Sequence, residues 1–185
     1  DAKAPGEDGK GRIRALKRIL TPDKDSRERF EQEKRALGSV VHSGIPDISE
    51  VGEDERGPFI VMEFIEGNLL EDEVKKVGPL DDSAGKRLLL GLCNALGYLH
   101  KKGIVHRDVK PTNIIMQEDG MPVLIDLGLG RTEEGGGTMT GGMGTLHYAA
   151  PEQEENAALV GAAADIFSLG KTLYFALKGG SLASF

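Results

Sequence analysis

The stretch His106-Arg107-Asp108-Val109-Lys110-Pro111-Thr112-Asn113, followed after one short hairpin by Asp126-Leu127-Gly128, constrains the fold more than any other part of the chain. Ile114-Ile115-Met116 and Val123-Leu124-Ile125 are β-type apolar runs flanking Glu118-Asp119-Gly120, a hairpin turn signal. Antiparallel pairing of these runs brings Asn113, just before the first strand, beside Asp126, just after the second. Two oxygen ligands then meet at one end of the hairpin. Such a set suits Mg²⁺, which takes one or two protein groups and completes its shell with phosphate oxygens and water. Asp108, in the same loop, is near enough to orient or deprotonate a hydroxyl, and Lys110 can place a positive charge on a transferring phosphoryl group. The constellation asks for phosphoryl transfer.

The rest of the chain must build a frame for that loop. Its 185 residues suffice for one sizeable core or two small lobes of a single folding unit. A formal charge of −7 argues against a nucleic-acid face, and the basic cluster Lys10, Arg12, Arg14, Lys17 and Arg18 reads as strand decoration. Cys93 is the single cysteine. It excludes an internal disulfide framework, fits a reducing, cytoplasmic compartment and, within a helical pattern, is expected to be a buried, inert thiol. No zinc site can be assembled, and these residues contain no apolar run of membrane-spanning length, no secretory-leader pattern and no repeat. Glycine is abundant at 26 residues, and the Gly-rich stretch from Thr132 to Gly144 is expected to form a mobile loop.

Residues 1 to 11 read as a polar, Gly-rich turn, because Lys10 is not followed by the Ser or Thr that a phosphate-binding P-loop needs. Ile13, Ala15, Lys17 and Ile19 then alternate with Arg12, Arg14, Leu16 and Arg18, a strand that puts Lys17 on its apolar face. A lysine there requires an anionic partner. From Asp25 or Ser26 to Gly38 the pattern is helical, with Phe30, Leu37 and Val41 on one seam and Glu33 on the same seam. A Lys17 to Glu33 ion pair would resolve both local violations; the alternative is that both charges are solvated.

Phe59 to Ile65 is a continuous apolar run with one acid, a buried strand that emerges into a connector at Glu66-Gly67. Asp81 or Ser83 starts a long helix with Leu88, Leu92, Leu96 and Leu99 on its apolar face, and Lys101, Lys102 and Gly103 end it. A last apolar helix carries Asp165 and runs through Leu173, Tyr174, Phe175 and Leu177. Strands dominate early and helices later, an α+β pattern in two lobes with the loop at their junction.

These residues, taken in order, resemble a serine/threonine protein kinase catalytic domain of the bacterial Hanks type. Ala15-Leu16-Lys17 is similar to the family's strand lysine motif, Glu33 to its helix glutamate and His106 to Asn113 to its catalytic loop. Asp126-Leu127-Gly128 is similar to its D-F-G, and Ala150-Pro151-Glu152 to its A-P-E. The resemblance implies a bilobal kinase fold, with a small-lobe part at 1–62, a hinge at 63–67 and a large-lobe part at 68–185. It further implies ATP and Mg²⁺ as cofactors and the Ser and Thr hydroxyls of proteins as substrates. Asp108 would be the catalytic base, Lys110 would contact the γ-phosphate, and Asn113 and Asp126 would hold Mg²⁺. Lys17, paired to Glu33, would hold the α- and β-phosphates, and Ala15, Met62 as gatekeeper, Glu63, Ile65 and Ile115 would complete the ATP site. His106, Leu127, Leu37 and Ile48 would stack as an apolar spine anchored by Asp165. Arg107, beside Asp108, implies control by a phosphate on the activation segment, where Thr138 and Thr140 are the candidates, ahead of the Thr145 to Glu152 end of that segment.

The resemblance stops short at both ends. No G-x-G-x-x-G precedes Lys17, and nothing after Phe185 supplies the last helices of the large lobe. The chain is therefore expected to be an incomplete kinase domain, inactive as it stands, with an exposed edge on its small sheet. The alternative is a non-catalytic, pseudokinase-like nucleotide-binding or scaffold module. A kinase of small molecules is disfavoured by the Gly144 to Gln153 segment, which is similar to a peptide-binding element.

Overall fold

A computed structural model describes residues 2–5, 13–18, 40–126, 148–155 and 160–180. A four-stranded antiparallel sheet is built from β1 (Ala2–Pro5), β2 (Ile13–Arg18), β3 (Ile48–Asp54) and β4 (Gly57–Glu63) in the order β1-β2-β4-β3. The strand Ala2–Pro5 corrects the reading of residues 1 to 11 as a turn. It pairs with β2 from Ala2 opposite Leu16 to Pro5 opposite Ile13, so the lysine strand has a neighbour on both sides and the outer edge of the sheet passes to β1. Four residues with one lysine and a terminal proline carry little local strand signal, and pairing with β2 supplies what propensity does not. In β2 the inside-outside alternation is weaker than its sequence suggests: Ile13 is exposed and the other five residues are half-buried.

Across this sheet Arg18 donates from its two terminal guanidinium nitrogens to the Asp54 carboxylate at 2.7 Å, and its guanidinium lies over the Phe59 ring. The Arg18 bonds, aided by the Arg56 N–H, lower the Asp54 pKa to about 2. The pair is solvent-exposed, so it fixes geometry more than it adds stability.

Beyond the sheet come a short β5 (Asn68–Leu69) and helices α1 (Leu70–Val77) and α2 (Asp82–Lys101). Then follow a 3₁₀ turn (Pro111–Asn113), the hairpin β6 (Ile114–Met116) and β7 (Pro122–Leu124), and helices α3 (Pro151–Glu155) and α4 (Ala162–Leu177). Helix α2 begins where its cap predicts, with Asp81 accepting from the Ala84 N–H at 2.7 Å. It ends in a Schellman motif: Gly103, at φ 75°, donates to His100 O and Ile104 donates to Leu99 O, both at 3.0 Å.

Its stripe Leu88, Leu92, Leu96 and Leu99 is fully buried. Each such leucine contributes roughly 1.5–3 kcal/mol relative to an exposed one. Leu88, Leu92 and Leu96 meet Leu70 and Val74 of α1, Ile114 and Leu124 of the hairpin and Phe175 of α4 in one core. Ala95 and Leu99, further along, meet Val40, Ile45 and Ile60 in a second. One helix therefore belongs to both cores and joins the small sheet to the helical part.

Two expectations about side-chain placement fail. Cys93 is exposed, because it lies with Leu90 and Asn94 on the face of α2 opposite the leucine stripe. Val41 is 76% exposed. It follows Gly38, in a loop rather than on a helical seam, and only its backbone is engaged, donating to the Tyr98 hydroxyl at 3.0 Å. That loop ties the lobes further, since Gly44 O accepts from Leu124 N of β7 at 2.8 Å and the His42 ring lies 5.1 Å from that of Tyr98. The helix expected from residue 25 or 26 to Gly38, with Phe30, Glu33 and Leu37, lies outside the described residues.

Candidate functional site

The loop between α2 and β6 hangs from Asp165, which is fully buried in α4. Its Oδ2 accepts from His106 N at 2.9 Å and from His100 Nε2 at 2.7 Å, and its Oδ1 accepts from Arg107 N at 2.8 Å. A buried carboxylate is tolerable only when its oxygens are occupied in this way. His100 was missed by sequence reasoning. Its signal was a titratable residue four after Leu96, on the core-facing side of the helix end.

Arg107 takes a left-handed φ of 64°. That conformation costs a non-glycine residue about 1 kcal/mol and persists only where neighbours over-determine it. His106 is wholly buried, and its Nδ1 accepts from Asp108 N at 3.3 Å. Burial lowers its pKa despite nearby carboxylates. Burial favours the neutral ring, and the accepting Nδ1 leaves its proton on Nε2.

Asp108 is oriented from two sides. Lys110 Nζ lies 2.9 Å from its Oδ2, and Asn113 Nδ2 donates to the same oxygen at 2.9 Å and to Asp108 O at 2.8 Å. The 3₁₀ turn makes this possible. Pro111 opens it, where a missing N–H costs nothing, and the turn carries Asn113 back over the loop. Because the amide nitrogen faces Asp108, the Asn113 oxygen is directed away from that carboxylate.

The hairpin is antiparallel as expected, with Ile114 opposite Leu124 and Ile115 opposite Val123, although its second strand starts at Pro122. Gly120, at φ 78°, makes the turn as its position predicts. Ile125 N donates to Asn113 O at 2.9 Å, so Asn113 and Asp126 flank the same end of the hairpin. Asp126 is the second non-glycine residue at positive φ, 61°.

Lys17 forms an ion pair and hydrogen bond with Asp126. The anionic partner that its place in β2 demands is thus found at the far end of the hairpin; Glu33, the partner expected from sequence, lies outside the described residues. This contact closes the small sheet onto the loop. Above it, Ala15 faces Met62 across β2 and β4, and Met62 is half-buried against the second core, as is Ile48 of β3. Glu63 N donates to Asp47 O at 2.8 Å, and Ile65 is half-buried in the connector that follows. At Gly67, φ 148°, a Cβ would stand 2.3 Å from Met116 O and 2.7 Å from Ile115 Cγ2, so only glycine lets the connector pass this close to β6.

At the far side of the loop, Gln153 in α3 accepts from Ala150 N and donates to Arg107 O. The sequence places Gln153 at the end of the Gly144 to Gln153 segment but does not announce its bond to the loop backbone. Glu152 beside it is half-buried, while Leu127, Thr138, Thr140 and Thr145 lie outside the described residues.

A small antiparallel sheet and a helical part share helix α2, and between them a loop sets a carboxylate, a lysine and a carboxamide against a second lysine–carboxylate pair. This is the architecture of a protein kinase. The protein kinase domain family matches residues 6–184, and the chain belongs to that family. It is 35% identical over 180 residues to the probable serine/threonine-protein kinase PknB of Bifidobacterium longum, covering 90% of this chain and 26% of that protein. It is 41% identical over 160 residues to the serine/threonine-protein kinase PknK of Mycobacterium tuberculosis, covering 85% of this chain and 14% of that protein. Among solved structures, Rad53 residues 1-466 in complex with AMP-PNP aligns with a TM-score of 0.76 at 31% identity, over 94% of this chain and 44% of that one. The chain thus spans about a quarter or less of the length of these two bacterial relatives.

Proposed function

We propose that the protein carrying this chain is a serine/threonine kinase that transfers the γ-phosphate of ATP to Ser or Thr hydroxyls of protein substrates. The observation that carries this reading is the Asp108 carboxylate held at one oxygen by both Lys110 and Asn113, beside an Asp126 paired with Lys17. Asp108 receives the proton of the attacking hydroxyl as that oxygen bonds to phosphorus and the bond from phosphorus to the ADP oxygen breaks. Lys110, already at the Asp108 carboxylate, is placed to offset charge on the phosphoryl oxygens in flight. Lys17 holds the α- and β-phosphates, exchanging its contact with Asp126 for one with the nucleotide.

The residues fit Mg²⁺ on chemical grounds. Asn113 turns its amide nitrogen toward Asp108 and so presents its oxygen elsewhere, and Asp126 adds a carboxylate at the same end of the hairpin. Among the described residues no three His, Cys, Asp or Glu cluster as a metal site. An ion held by two protein oxygens would complete its shell with phosphate oxygens and water. When bound, Mg²⁺ offsets the charge on the phosphate oxygens.

Lys110-Pro111-Thr112 and the names of the relatives support Ser and Thr as acceptors. The adenine would lie between Ala15 and Ile115, against the hinge backbone of Glu63 and Ile65. The exposed thiol of Cys93 supports a reducing compartment such as the cytoplasm; no helix among the described residues is long and apolar enough to cross a membrane. A pseudokinase-like module would have no chemical use for Lys17, Asp108, Asn113 and Asp126 together.

Phosphate transfer from labelled ATP to a Ser/Thr protein substrate by the full-length protein tests the reading. Lys17→Met should remove at least about 100-fold of kcat/KM, since positioning and charge on the phosphates carry most of this chemistry. Undiminished transfer would remove Lys17 from its role.

Regulation belongs to the same proposal. Arg107 lies one residue from Asp108, and a phosphate on Thr138 or Thr140 would order the activation segment through charge-assisted bonds. Mass spectrometry after autophosphorylation should find phosphate at one of these two threonines; phosphate found only at other positions ends this part of the reading.

A further inference from the structure

The peptide unit joining Arg107 to Asp108 is gripped at both polar groups. Its N–H, that of Asp108, donates to His106 Nδ1 at a long 3.3 Å, and its C=O, that of Arg107, accepts from Gln153 Nε2 at 3.0 Å. The preceding peptide is held at its Arg107 N–H by Asp165 Oδ1 at 2.8 Å. Between these two holds lies the left-handed Arg107, at φ 64°. Without a partner on the Arg107 carbonyl, the following peptide can rotate to relieve that conformation, and rotation would swing the Asp108 side chain. Gln153 is itself fixed, because its Oε1 accepts from Ala150 N at 2.9 Å at the start of α3.

We infer that Gln153 is a positioning residue for the proposed base, Asp108, acting through the Arg107 carbonyl and linking helix α3 to the loop. The inference rests on the reading of Asp108 given above. It also explains why a carboxamide suits this position. One planar group must accept from Ala150 N and donate to Arg107 O, and glutamate can do only the first whereas methionine, of similar length, can do neither.

The test uses the full-length protein carrying Gln153→Met or Gln153→Glu, assayed for kcat, for the KM of ATP and for the affinity of a fluorescent ADP analogue. A misplacement of about 1 Å in the base can cost about 100-fold in rate. Both variants should lose roughly 10- to 100-fold in kcat, while KM for ATP and analogue affinity stay within about threefold. Gln153→Glu should be as impaired as Gln153→Met although it keeps the acceptor, because the donor to Arg107 O is what both lack. Either variant turning over within twofold of the unmodified protein overturns the inference. So does loss of analogue binding in both, which would mark Gln153 as a support of the whole fold. Asp108→Asn measured alongside separates the two readings: retained activity there removes the base, whereas lost activity there with normal Gln153 variants removes only Gln153.

Discussion

Asp108→Asn in the full-length protein should lower kcat by about 1,000-fold or more and leave nucleotide affinity unchanged. General base catalysis contributes about 10²- to 10⁴-fold, and this substitution removes the proposed base while preserving its shape. An asparagine oxygen can still accept from Asn113 Nδ2 and Lys110 Nζ, which meet Oδ2 at 2.9 Å in the unmodified protein. The loop backbone, suspended from Asp165 through His106 N and Arg107 N, does not depend on the Asp108 charge. The expected defect is therefore chemical rather than conformational. Single-turnover transfer from labelled ATP, read beside the affinity of a fluorescent ADP analogue, separates the two. Turnover within about tenfold of the unmodified protein would show that the hydroxyl loses its proton elsewhere.

The parts of this site that were legible in the sequence are those set by short-range periodicity. The hairpin turn at Gly120, the Asp81 cap, the leucine stripe of α2 and its stop at Gly103 depend on residues a few positions apart, and each takes its expected form. The placement of Asn113 and Asp126 at one hairpin end follows from the same local pairing. What was not legible depends on contacts distant in sequence. Strand β1 exists because β2 offers it a ladder. Cys93 and Leu92 are neighbours in an apolar stretch, yet consecutive helical residues turn by 100°, and one faces solvent while the other is buried. Lys17 announced its need for an anion, but sequence pattern alone could not rank Asp126, 109 residues away, against Glu33. Gln153 closes the segment that begins at Gly144, yet nothing local announced its partner, the backbone of Arg107, 46 residues earlier. Backbone acceptors have no letter in the sequence.

The largest effect on stability is expected at Asp165, where the loop's geometry and the fold's integrity depend on one side chain. Asp165→Ala leaves the His106 N–H, the Arg107 N–H and His100 Nε2 without the carboxylate they share at 2.7 to 2.9 Å, in a place where the replaced side chain had no solvent exposure. Removing one member of a buried, hydrogen-bonded charged set costs about 3–5 kcal/mol, a large part of the roughly 5–15 kcal/mol that holds a domain folded. For a domain of this size each kcal/mol lowers Tm by about 2–4 °C, so a fall of roughly 10 °C or more is expected. Asp165→Asn should do less, because one oxygen can still accept. Its amide nitrogen would nevertheless face a backbone N–H or the imidazole, at a cost of about 1–3 kcal/mol. Thermal unfolding of the full-length protein, followed through the transition that bound nucleotide shifts, reads both variants. The order Ala below Asn below unmodified identifies the carboxylate as the anchor, and a Tm for Asp165→Ala within about 2 °C of the unmodified protein would show that the three donors find other partners. The same variants should lose turnover more steeply than stability. Arg107 keeps its left-handed conformation only while its neighbours hold it, and the peptide that follows Arg107 is the one that aims Asp108.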